Sequence, residues 1–168
     1  NKDYTSLNMY DKKTKAFDVL LMPCDAQVSV SESLVKELRE TISDISSTVS
    51  MSDVARAFGD KKYETYVKIM EDISGVKISG YAVMSSNDFK KLLNAGNTVT
   101  YHLDHAVSYR DADNVLQSIE AGDVELDGDT AYALMTYMDG TDDEETRRLE
   151  RANDYLTKYM EEIFTKNN

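Results

Sequence analysis

Tryptophan is absent from these 168 residues, and cysteine and proline occur once each. The lone Cys24 makes no internal disulfide, so cysteine usage leaves the redox compartment open. Cations are scarce: nineteen Lys and Arg stand against thirty-one Asp and Glu, a formal charge of −12, and no basic stripe interrupts the excess. Phosphate backbones are held by clustered positive charge, so nucleic acid is a poor partner, as is a polybasic contact with a membrane surface. No apolar run reaches spanning length and no signal-peptide pattern is present. Internal repeats, low-complexity tracts, Gly-rich phosphate loops and a Gly-x-Ser-x-Gly elbow are missing too. The two histidines, His102 and His105, lie three apart on an expected strand. Opposite faces follow, which fits a structural pair better than a zinc site.

What is present is a 41% hydrophobic chain, long enough for one domain with a real core. It opens on Asn1 rather than methionine, and a processed piece that has lost an upstream membrane anchor is the expectation. Tyr4 to Tyr10 reads as a strand, the polar run Asp11 to Lys15 as a turn, and Ala16 to Met22 as a second strand ended by Pro23. Ser31, with Ser33 as an alternative, caps a short helix; Thr41 to Ser50 reads as an irregular connection. Ser52 caps a helix through Phe58, and Asp60 starts a longer one that Gly75 closes. Lys77 to Met84 reads as a strand, Ser86 to Asn94 as a helix, and Thr98 to Leu103 as a strand with one polar face. Val115 to Ile119 reads as another strand, and Gly122 as a break.

Two helices close the chain. Leu126 to Met138 is apolar on nearly every side past its acidic start, so it should be buried. The second begins in the acidic run Asp142 to Glu145, which complements the helix dipole, and carries Leu149, Ala152, Leu156, Tyr159, Met160 and Ile163 at helical spacing. Arg148 and Arg151 border that stripe. The expected architecture is α/β: a single domain over residues 1–168, with a mixed central β-sheet and helices packed on its faces.

Methionine and tyrosine recur on helix faces at 63, 66, 70, 132, 135, 155, 159 and 160; this pattern fits either plain core or an adaptable apolar pocket. Three features point more firmly to a site: Asp3 at the start of the first strand, Pro23 to Asp25 at the end of the second, and the Arg148/Arg151 pair. Carboxylates with arginines are what a metal-bound phosphate needs.

Taken together these residues resemble the LytR-CpsA-Psr family of cell-envelope proteins. Asn1 to Tyr4 stands where that family has Arg-Ser-Asp-Thr, Asp11 to Lys15 where it has a turn such as Asn-Pro-Lys-Thr-Lys, and Pro23 to Asp25 where it has Pro-Arg-Asp. Asp53 to Gly59 is similar to its Asn-His-Ala-Tyr-x-x-Gly-Gly region, and Gly80 to Phe89 to its Tyr-x-Val-x-x-x-x-Phe stretch. Tyr109 to Asp111, Leu126 to Gly128 and Ala131 keep the family order. Arg148 to Arg151 matches Arg-Ile-Glu-Arg. The resemblance covers nearly the whole chain and is best from Ile78 to Leu156.

That resemblance implies a domain on the outer face of the cytoplasmic membrane of a Gram-positive-type bacterium, tethered by one N-terminal transmembrane helix. It implies binding of a polyprenyl-pyrophosphate-linked glycan, the prenyl chain in an apolar tunnel, and transfer of the glycopolymer to peptidoglycan. Arg110, Arg148 and Arg151 would hold the pyrophosphate, Asp3 and Asp25 would bind Mg²⁺, and Asp3, Arg148 and Arg151 would be catalytic. Four cationic positions depart from the pattern: Asn1, Cys24, Thr136 and Met138 replace arginines. Each lost charge-assisted hydrogen bond is worth about 1.5–3 kcal/mol, so a non-catalytic module that binds a lipid carrier or a protein is the rival expectation.

Overall fold

The computed structural model of the protein describes residues 4–166, apart from positions 97, 112 and 139. The chain is α/β, as expected. It forms two compact units: one takes the chain up to Leu7 together with Met22–Val83, the other Asn8–Leu21 with everything from Met84 onward.

The first unit is mainly helical. α1 (Glu32–Leu38) is capped by Ser31, which accepts from the Leu34 amide and whose own amide donates to Asp72 at 2.7 Å. Short strands β3 (Val28–Ser29) and β4 (Thr48–Val49) pair antiparallel. α2 (Met51–Phe58) is capped by Ser50 rather than Ser52: Ser50 has extended backbone and its hydroxyl accepts from the Asp53 amide at 3.1 Å. A 3-10 turn at Gly59–Lys61 then leads into α3 (Lys62–Ser74), which ends on left-handed Gly75 as anticipated. Leu34, Val35, Leu38, Val49, Met51, Val54, Ile69 and Met70 are buried.

The expected strand from Lys77 to Met84 does not form: the segment is irregular, and Val76, Tyr81, Val83 and Met84 are exposed. Its residues have strand propensity, but a strand is stabilised by cross-strand partners, and none pairs with this one among the described residues.

β1 (Tyr4–Asp11) and β2 (Ala16–Pro23) form the expected hairpin. Asp11 closes its turn by accepting from the Lys13 amide at 2.7 Å. The outer part of the hairpin belongs to the second unit, placing Phe17 and Val19 in that unit's core. There β5 (Val99–Leu103) pairs antiparallel with β8 (Gly122–Leu126), and β6 (Val107–Arg110) with β7 (Leu116–Ile119). Gly122 therefore begins a strand instead of marking a break; its φ of 104° supplies the tight entry from β7. β5 alternates as read, with Val99, Tyr101 and Leu103 buried and Thr100 and His102 exposed.

Three helices complete this unit. α4 (Ser86–Ala95) is capped by Ser85; α5 (Gly128–Thr136) starts at Asp127, whose side chain accepts from the Thr130 amide at 2.8 Å; α6 runs from Glu144 to Lys166. α5 is buried through Ala131, Ala133, Leu134 and Met135, and α6 contributes Ala152, Tyr155, Leu156 and Tyr159 to the same core. Among the described residues, no helix is long and apolar enough to cross a membrane.

Candidate functional site

The two candidate arginines of the second unit lie on the first turns of α6. Its buried stripe recurs at helical spacing, and Arg148 falls within that stripe rather than beside it: the residue is 1% exposed. A guanidinium in such surroundings needs a counter-charge, and Glu145, one turn earlier, supplies it. Nε of Arg148 donates to Glu145 at 2.9 Å, and Nη2 donates to the other carboxylate oxygen. Glu145 is half exposed, so the pair has one buried end and one at the surface.

Arg151 is half-buried. Its Nη2 donates to the Tyr137 carbonyl at 2.7 Å and its guanidinium lies 5.3 Å from the centre of the Tyr137 ring. Its Nε is buried with no hydrogen-bond partner. Tyr137 follows α5 directly, so the end of α5 positions this side chain from the outside while α6 carries it. An unsatisfied buried donor costs about 1–3 kcal/mol, which an acceptor from a ligand would recover.

The other sequence-derived candidates lie on other elements of the chain. Arg110, at the end of β6, is exposed and donates from Nη1 to the Asn114 carbonyl at 2.8 Å. Asp25 is exposed in the turn after β2 and belongs to the first unit. Asp3 lies outside the described residues. Cys24 has its carbonyl oxygen engaged by the Ser52 amide at 2.7 Å. Thr136 and Met138, where two arginines of the family pattern are replaced, flank Tyr137, and Thr136 returns its hydroxyl to the Tyr132 carbonyl. Among the described residues no group of three His, Cys, Asp or Glu side chains could hold a metal ion. Of the candidates, Arg148 and Arg151 share one element, the first turns of α6.

Sequence reading missed two elements of this geometry. The Glu145–Arg148 pair was legible as an i,i+3 spacing, but the helix dipole alone already accounted for the acid. The Tyr137 carbonyl carried no signal, because a backbone acceptor is invisible in side-chain patterns. As for the tyrosine and methionine positions, Met135, Tyr155 and Tyr159 are core. Burial pushes the hydroxyls of Tyr155 and Tyr159 above the ordinary phenol range, so these rings stay neutral and serve packing.

An α/β domain with one buried and one half-buried arginine on the first turns of its last helix is the class that fold and site define. The chain belongs to the LytR_cpsA_psr family, which its sequence matches over residues 2–168. No curated protein matches the sequence. Among solved structures, a protein described as a transcription regulator from Eubacterium siraeum superposes with a TM-score of 0.71 at 14% identity, covering 96% of this chain and 55% of that one. B. subtilis TagV gives 0.64 at 17% identity, with coverage of 96% and 55%. A transcriptional regulator from Enterococcus faecalis gives 0.67 at 16% identity, with coverage of 95% and 53%. The chain thus spans about half the length of the solved structures it matches. At these identities the likeness establishes the fold.

Proposed function

We propose that this chain is a cell-envelope domain that binds a polyprenyl-(pyro)phosphate-linked glycan on the outer face of the cytoplasmic membrane, with Arg151 as the principal phosphate contact. Family membership supplies the envelope setting. The observation that carries the ligand is the buried Nε of Arg151, a donor without a partner on a guanidinium already fixed by the Tyr137 carbonyl and ring; a ligand oxygen reaches it once the groups covering it move aside. A phosphate oxygen is an acceptor of the right charge for that donor, and a clamped guanidinium loses little freedom on binding.

Arg148 adds positive charge one turn away, offset by Glu145. Its burial means that it reaches a ligand only when Glu145 swings out. Loss of four cationic positions and this internal neutralisation favour holding the lipid carrier over transferring its glycan, since transfer requires stabilising charge that develops on the leaving phosphate. Binding by arginine needs no metal. Mg²⁺ held by Asp3 and Asp25 is the remaining element of the proposal, and peptidoglycan is the acceptor if transfer occurs.

Calorimetry with geranylgeranyl pyrophosphate tests the binding. Arg151→Ala should weaken it roughly 10- to 100-fold, the range of one charge-assisted hydrogen bond. Arg151→Lys should not rescue it, because an ammonium lacks the fork that engages Tyr137 and phosphate together. Equal affinity in all three proteins contradicts the assignment. Incubation with a prenyl-pyrophosphate glycan, Mg²⁺ and peptidoglycan then separates the two activities: product formation that Asp3→Ala abolishes establishes transfer, and saturable binding without product establishes a binding module.

A further inference from the structure

The hairpin turn and the end of α6, both in the second unit, border an open cleft of about 610 Å³ that the arginine site does not use. Its size falls in the range of small-molecule sites. Its floor is aromatic. Phe17 is buried, Phe164 lies 5.2 Å from it, and Tyr10 stacks on Phe164 at 5.2 Å with an interplanar angle of 20°. Tyr10 and Phe164 remain 37% and 38% exposed, so two ring systems are held in place by a third and still meet solvent.

The walls are polar. Lys15 and Lys158 line one part, Glu161 and Glu162 another, and Thr100 adds a hydroxyl from the outer face of β5. Lys158 is itself fixed, 3.3 Å from Asp154 and 4.7 Å from the centre of the Tyr101 ring.

We propose that this cleft is a carbohydrate-binding site for a short, neutral run of pyranose units. A pyranose presents C–H groups on its faces and hydroxyls around its edge. The exposed parts of the Tyr10 and Phe164 rings suit the first, while ammonium donors and carboxylate acceptors suit the second. The charges exclude the obvious competitors. Two lysines stand against two glutamates and the Asp154 that pairs with Lys158, so a polyanionic chain gains no field here. An isoprenoid or acyl chain would leave four ionised side chains facing hydrocarbon. The site lies ten residues or more beyond Arg148 on α6, about 15 Å along the helix, and stands independently of the pyrophosphate proposal.

The test is an amide NMR titration of the full chain with cellotetraose and chitotetraose, with a heparin tetrasaccharide and geranylgeraniol as charged and apolar controls. Saturable movement of the Tyr10, Phe17 and Thr100 amides by either neutral sugar is expected. Tyr10→Ala and Phe164→Ala should each weaken that binding about tenfold with the melting temperature held. Lys15→Ala, on the exposed turn, should weaken it less without touching the aromatic floor. Arg151→Ala should leave sugar binding unchanged, so failure of the arginine site and failure of this one are separable. The proposal is overturned if neither neutral sugar moves these amides, if only heparin or geranylgeraniol does, or if the aromatic variants bind like the parent.

Discussion

Arg148 and Asp127 show how much a single side chain carries in this molecule. Arg148 occupies a position in the α6 stripe that an apolar residue would ordinarily fill, and it is tolerated because Glu145 answers its charge. Truncation removes both packing and the partner of Glu145. Arg148→Ala should therefore cost about 3 kcal/mol in chemical denaturation, whereas Arg148→Met, which keeps the volume, should cost much less. Equal losses would mean that charge rather than packing holds the position. Asp127 accepts from both the amide and the hydroxyl of Thr130, at 2.8 and 2.6 Å. The hydroxyl first and the amide second hold its carboxyl below the ordinary carboxylate range. Because the folded value is the lower one, the stabilisation is present above the unfolded pKa and disappears as pH falls through the folded value. Asp127→Ala should cost about 1 kcal/mol near neutrality. Asp127→Asn should retain most of the cap while flattening the acid limb of a stability profile measured between about pH 6 and pH 3.

The elements pack through small residues at crossing points. Gly128, in the first turn of α5, sits against α4 so closely that an added Cβ would overlap the Lys90 carbonyl oxygen. Backbone cannot give way as a flexible side chain can. Gly128→Ala should destabilise by about 3 kcal/mol and lower the Tm by roughly 10 °C. Gly80→Ala, with open space around its Cβ, should stay within about 0.5 kcal/mol of the parent in the same melts. Tyr159 fastens α6 to the same region by donating its hydroxyl to the Leu92 carbonyl at 2.7 Å. Most of these elements were legible as period and cap: the β5 alternation, the buried α5 and the amphipathic α6 all follow from spacing of apolar residues. The misses have a common cause. Ser50 and Ser52 are both competent caps, and only the backbone entering α2 decides between them. Gly122 serves a strand because β5 lies alongside, and Lys77 to Met84 stays irregular because none of the described strands pairs with it.

For the whole molecule, the family was readable from the order of motifs, and the sequence match over residues 2–168 bears that out. The site was readable only in part. Spacing puts Arg148 and Arg151 together at the border of the α6 stripe, but Arg148 lies within it, 1% exposed. Its pairing with Glu145 is a local i,i+3 contact, whereas the clamp that Tyr137 puts on Arg151, with a donor to spare, depends on tertiary contacts that no spacing encodes. The account of function rests on that spare donor. An arginine Nε spectrum, recorded on ¹⁵N-labelled protein before and after geranylgeranyl pyrophosphate, reads it directly. The Arg151 Nε–H resonance should move downfield and exchange more slowly at saturation, while that of the exposed Arg56 stays in place. A saturated complex in which the Arg151 resonance has not moved would contradict the phosphate-binding role.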